Sequence, residues 1–165
     1  LGSREPKQLR WLPWPQKLER IVMDMLQYGD LIGVPFEYGG RGPDTYDCYG
    51  LVMECNRRAG IIIPDQRSPR DGTEAAELMG HVKTRWTPIW EKREANHFPS
   101  SADTPVGSTL LLNIKGLGCH VGYQVRPRQF IHTWEALGGV ATERTSLWKM
   151  RILGVYKFDG KLSHQ

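Results

Sequence analysis

The hydrophobic pattern of this chain changes period once, near Gly107, and that switch dictates its architecture. Before it, Leu18, Ile21, Val22, Met25 and Leu26 recur at helical spacing, with Glu19, Arg20 and Asp24 on the opposite side. This predicts a helix beginning after Pro15. Leu51, Val52 and Cys55 fall three, four and seven residues after Cys48, which predicts a second helix from Cys48 to Ala59. Asp47 stands at its N-cap position and Gly60 at its stop. After the switch, Ser108 to Ile114, Cys119 to Val125, Gln129 to Trp134, Val140 to Glu143 and Ile152 to Phe158 read as strands separated by Gly or Pro signals. Helices first and strands afterwards predict an α+β fold, with the helix from Cys48 packed on an antiparallel sheet of about five strands.

At 165 residues, 39% of them apolar and sixteen of them aromatic, the chain suits one domain with a core of its own. Residues 16–158 are expected to form that domain, with 64–104 as a polar insertion and a modest helical pattern from Thr73 to Gly80. Leu1-Gly2-Ser3 reads as a tag remnant, residues 4–15 as an irregular arm and 159–165 as a tail. The longest apolar run, Leu31 to Phe36, is too short to cross a bilayer, so no membrane insertion is expected. The first 30 residues lack the pattern of a secretory signal. The net charge of +4 is scattered, as at Arg57-Arg58 and Lys92-Arg93, with no nucleic-acid-binding motif beside it. Such a field suits an anionic partner, of which bacterial cell-wall polymer is one. Three cysteines without a Cys-x-x-Cys pair support neither a disulfide scaffold nor a structural zinc site.

A free thiol is therefore the group to follow. Cys48 comes shortly after the glycine- and proline-rich loop Pro35 to Asp44, which lets a substrate approach, and opens a helix whose N-terminus favours a thiolate. A nucleophile of this kind needs a base oriented by a third polar group. Strand alternation puts His120 and Gly122 on one face. If Arg126-Pro127-Arg128 is a three-residue loop, Val125 pairs with Gln129 and Gly122 with His132. The two histidines are then diagonal neighbours on one face, roughly 7–8 Å apart at their bases. A two-residue turn instead puts them on opposite faces. Either His132, Glu135 or Glu143 can orient His120. Asp47 reads as a cap, Cys55 and Cys119 as core residues, and His81, His97 and His164 fit no ligand spacing.

Tyr38-Gly39-Gly40, Asp47-Cys48-Tyr49-Gly50-Leu51-Val52, His120-Val121-Gly122-Tyr123 and Phe130-Ile131-His132 occur here in an order and spacing that resemble the NlpC-like, papain-fold cysteine peptidases of bacterial cell walls. The resemblance spans residues 17 to 158. The phrase Asp-Cys-Tyr-Gly-Leu-Val and the Val-Gly-Ser-Thr-Leu-Leu run before the first strand are most similar to the phage tail-associated branch.

The resemblance implies a nucleophile at Cys48, a general base at His120 and an orienting residue at His132. It implies a thiol endopeptidase that cuts the stem peptide of peptidoglycan, often after D-glutamate, with no metal and no organic cofactor. Tyr38 would contact substrate or oxyanion. By its own position, two residues past His132 on the same strand face, Trp134 reads either as core or as lining a groove for the wall peptide or sugar. Tyr49 stands where most wall hydrolases have the Ser that helps hold the substrate's N-terminal end. The expected resting state is an imidazolium–thiolate pair of His120 and Cys48. The phage branch places the domain in a virion tail, made in the host cytoplasm and acting at the host wall or periplasm, with other tail proteins as candidate partners. Two further readings are a structural tail-tip protein with little activity and an acyl transferase using the same thioester.

Overall fold

The computed structural model describes residues 13, 15–16, 27–67, 86–91, 104–114 and 117–158. The helix expected over Leu18 to Leu26, most of the N-terminal arm, the Thr73 to Gly80 pattern and the tail lie outside the described residues.

Helix α1 spans Cys48–Arg58, where the spacing predicts it. Asp47 is extended (φ −91°, ψ 176°) and its carboxylate accepts from the Gly50 N–H at 2.7 Å. That bond satisfies one of the orphan donors of the first turn and is worth about 1 kcal/mol. Arg57 and Arg58 in the last turn suit the negative end of the helix dipole. Gly60 follows with φ 82°, the left-handed conformation that ends the helix.

Six strands form one antiparallel sheet: β1 (Trp86–Glu91), β2 (Thr109–Ile114), β3 (Leu117–Arg126), β4 (Gln129–His132), β5 (Ala141–Arg144) and β6 (Ile152–Phe158), in the order β1-β6-β2-β3-β4-β5. Five match the expected strands. The sixth, β1, falls inside the segment read as an insertion and pairs along β6 at the sheet edge, with a register shift between Pro88 and Trp90. An edge is where a strand tolerates proline, because an N–H on that side has no ladder to join. β4 stops two residues short of the expected Trp134, because Trp134 begins a short 3₁₀ turn, Glu135–Leu137.

The β3–β4 turn differs from the expected loop. Arg126 pairs with Gln129, so only Pro127 and Arg128 lie between the strands. Proline followed by a residue with φ 67° is the pattern of a type II turn. The register then shifts between Gln124 and Arg126, so that Gln124 pairs with Phe130 and Tyr123 with Ile131. Val125 is the extra residue of a bulge, and it returns the strands to the register that a three-residue loop would have set.

Side chains alternate across the sheet. Tyr123 and Ile131 join the cluster that holds Leu51, Val52 and Cys55 of α1, with Leu111, Tyr156 and Phe158. Phe130 turns to the other face and packs with Leu110, Leu112, Trp148, Ile152 and Val155. Helix α1 rests on β3 and β4, the two strands that carry the histidines. Among the described residues, no helix is long and apolar enough to cross a membrane.

Candidate active site

Cys48 is the first residue of α1 and is 8% exposed. The helix start is clamped to the glycine-rich loop through Asp47, whose wholly buried carboxylate also accepts from the Gly39 N–H at 2.9 Å and pairs with Arg41 Nη1 at 2.7 Å. A negative charge next to the thiol is thereby occupied by two backbone donors and a guanidinium. Arg41 also reaches the Gly40 carbonyl, Asp65 and the Gln66 carbonyl, tying residues 65 and 66 to the same point. Gly50 makes the clamp close: a Cβ there would stand 2.1 Å from the Gly40 carbonyl oxygen. The second cysteine of α1, Cys55, is wholly buried, and burial pushes its thiol up. It behaves as the core residue expected of it, whereas the side chain of Cys119 lies outside the described residues.

His120 and His132 meet in the sheet, with Nε2 of His120 2.9 Å from Nδ1 of His132. His132 continues the chain through Nε2, which lies 3.1 Å from Glu143 Oε1. The other oxygen of Glu143 accepts from the Trp148 indole N–H. Glu143 is opposite Phe130 across β4–β5 and so diagonal to His132, within reach on the same face. Phe130 packs 4.7 Å from the His132 ring, Trp148 stands edge-on to it at 5.0 Å, and Trp134 lies 6.0 Å from His120. His120 is 4% exposed and His132 is not exposed at all. Burial, and then the neighbouring His132, push the His120 imidazole down to about 3. Burial also lowers His132, against the opposing pull of Glu143.

The residues expected to meet substrate are placed differently from one another. Tyr38 is 46% exposed on the loop, and its hydroxyl donates to Glu135 Oε2 at 3.3 Å. Trp134 is half-buried beside His120, its indole N–H buried without an acceptor among the described residues. Tyr49 is 4% exposed, and its hydroxyl donates to the Pro64 carbonyl at 2.7 Å. The Tyr49 hydroxyl thus pins the chain after α1 rather than lying open to solvent. Glu143 was one of three alternatives for orienting His120, and the structure puts it behind His132 instead. Sequence reasoning missed Arg41 and Trp148; an arginine between two loop glycines, Gly40-Arg41-Gly42, was the one available signal for the first. Among the described residues, no group of three or more His, Cys, Asp or Glu side chains could hold a metal.

A helix opened by a capped cysteine, resting on an antiparallel sheet that carries two joined histidines, defines a papain-like α+β protein. The model of the NlpC/P60 family matches residues 33–157, and the chain belongs to that family. Similar solved structures include NlpC1 from Trichomonas vaginalis, 21% identical over 82% of this chain and 42% of its own, with a TM-score of 0.51. NlpC2 from the same organism is 18% identical over 93% of this chain and 51% of its own, with a TM-score of 0.52. The NlpC/p60 domain of the peptidoglycan hydrolase SagA is 17% identical over 83% of this chain and 97% of its own, with a TM-score of 0.51. This chain spans about half, or less, of the two Trichomonas proteins. At these identities the likeness establishes the fold. No curated protein sequence matches the chain.

Proposed function

We propose that this domain is a thiol peptidase that hydrolyses the stem peptide of peptidoglycan, with Cys48 as nucleophile, His120 as general base and His132 as its orienting partner. Family membership and the likeness to the domain of a peptidoglycan hydrolase support the substrate class. The observation that carries the chemistry is the buried 2.9 Å contact between His120 Nε2 and His132 Nδ1. It engages the far nitrogen of His120 and leaves Nδ1 as the nitrogen for a thiol.

Burial weighs against the imidazolium–thiolate pair expected at rest. Burial, and then the neighbouring His132, disfavour the charged His120 ring. In this reading the pair rests as thiol and neutral imidazole, and the proton moves during attack. Nδ1 of His120 takes the Cys48 proton as Sγ bonds to the scissile carbonyl carbon. The oxyanion is met by the Cys48 backbone N–H and the Tyr38 hydroxyl, donors worth about 3 kcal/mol each in other enzymes. The Tyr38 hydroxyl, which donates to Glu135 Oε2 over a long and exposed contact, turns from it to do this. His120 then protonates the leaving amine as the C–N bond breaks. Water attacks the thioester, its proton passing through His120 back to the departing sulfur.

The phage-tail setting belongs to the same proposal and rests on Asp47-Cys48-Tyr49-Gly50-Leu51-Val52 and the Val106 to Leu111 run. It makes other tail proteins partners and the host wall the place of action. Digestion of purified wall peptides, read by mass, tests the activity and names the bond. Release by the native protein and none by Cys48→Ala is expected. Equal, negligible release by both would instead favour an assembly role, and transfer product exceeding free acid when an amine is added would favour acyl transfer.

A further inference from the structure

We infer that Glu143, held in place by Trp148, sets the tautomer of both histidines and so is a positioning residue for His120. The inference rests on the peptidase reading above only for its consequence in turnover. Its basis is the directionality of three hydrogen bonds in series: Glu143 to His132, His132 to His120, and Trp148 to Glu143.

A carboxylate accepts and does not donate, so the contact between Glu143 Oε1 and His132 requires the proton on His132 Nε2. A neutral His132 then has a bare Nδ1, which accepts from Nε2–H of His120. Nδ1 of His120 is left bare and able to take a proton. The reverse arrangement would set a lone pair of His132 Nε2 against a carboxylate oxygen at 3.1 Å. The burial of both rings keeps them neutral, as the direction of their shifts indicates.

Trp148 makes the setting unambiguous. Its indole N–H occupies the second carboxylate oxygen, so both oxygens of Glu143 accept and both are engaged. Trp148 is 6% exposed, wedged edge-on to His132 and Phe130, with the Arg151 guanidinium 5.0 Å over its ring. It belongs to the 3₁₀ turn Thr145–Trp148 that directly follows β5, so Glu143 and its anchor come from one short piece of chain.

Nitrogen-15 NMR of the imidazole rings in the full chain reads the tautomers directly, with wall-peptide hydrolysis as the second readout. The native protein is expected to carry Nε2–H on both His120 and His132. A proton on Nδ1 of either neutral ring overturns the inference, whatever any variant does. Glu143→Gln has one acceptor and one donor. With Trp148 occupying the acceptor, the amide faces His132, both rings flip to Nδ1–H, and kcat falls about 100-fold or more with KM little changed, in line with other wrong-tautomer variants.

The double variant Glu143→Gln, Trp148→Phe frees the amide oxygen to turn toward His132. It is expected to restore Nε2–H and part of the lost kcat. A merely structural role requires the double variant to be worse than the single one, and that result overturns the inference. Unchanged tautomers in Glu143→Gln overturn it as well. Flipped tautomers in a protein that cleaves no wall peptide would support the relay and sink the peptidase reading, which keeps the two failures apart.

Discussion

His120 and His132 lie on one face of the sheet, 2.9 Å apart between ring nitrogens, although the turn joining their strands holds only two residues. The bulge at Val125 reconciles the two facts, since one extra residue on β3 moves every side chain before it to the other face.

The turn itself carries a cost. Arg128 adopts φ 67°, a conformation that penalises a Cβ by about 1 kcal/mol. Arg128→Gly is expected to raise stability by about 0.5–1 kcal/mol in urea denaturation, leaving hydrolysis unchanged. A loss of stability would mean that the Arg128 side chain makes a compensating contact.

The buried histidines make stability depend on pH in a defined direction. Both have lowered values in the folded state, so between about 3 and 6.5 the unfolded chain binds more protons at His120 than the native protein does. Stability is fully present above 6.5 and is lost as pH falls toward the folded value. The slope reaches about 1.4 kcal/mol per pH unit for each ring that titrates only on unfolding. Denaturation of the native protein and His120→Gln at several pH values checks this: the variant should lose one proton's worth of slope.

Gly50 permits the approach of α1 to the loop that presents Tyr38. A Cβ placed 2.1 Å from the Gly40 carbonyl oxygen forces backbone to move, and Gly50→Ala is expected to cost about 1–3 kcal/mol. A helix interior would ordinarily gain from alanine, so a stabilised variant would contradict the tight clamp. Urea midpoints decide it.

Two tyrosines near the nucleophile should separate cleanly. Tyr49→Phe removes a part-buried bond to Pro64 and should lower stability by about 1 kcal/mol with kcat unaffected. Tyr38→Phe removes a half-exposed hydroxyl and should leave stability within about 0.5 kcal/mol while lowering kcat. The reverse pattern would exchange their roles.

The strength of local signals decided what could be read from the sequence. Helix α1 was legible because Asp47, the stripe Leu51-Val52-Cys55 and Gly60 all agree on its bounds. Five strands were legible from alternation between turn residues. Strand β1 was not: Pro88 breaks its pattern, and its partner β6 lies about sixty residues further along the chain. The histidine pairing was foreseen through a loop that does not exist, and a bulge with no sequence signature restored the outcome. Trp148 was hidden for a related reason, and Glu143 was legible only as an alternative partner of His120. Their meeting with His132 depends on the β4–β5 register and on a 3₁₀ turn, which side-chain periodicity does not encode.

Reaction with dibromoacetone, a short bifunctional alkylating agent, tests most directly whether one thiol works against one ring. Its first end should take the Cys48 sulfur and its second the bare Nδ1 of His120. Digestion and mass spectrometry should then recover a Cys48–His120 cross-link that is absent from His120→Gln. Single-ended alkylation of Cys48, with His120 unmodified in a folded native protein, would contradict the proposed partnership.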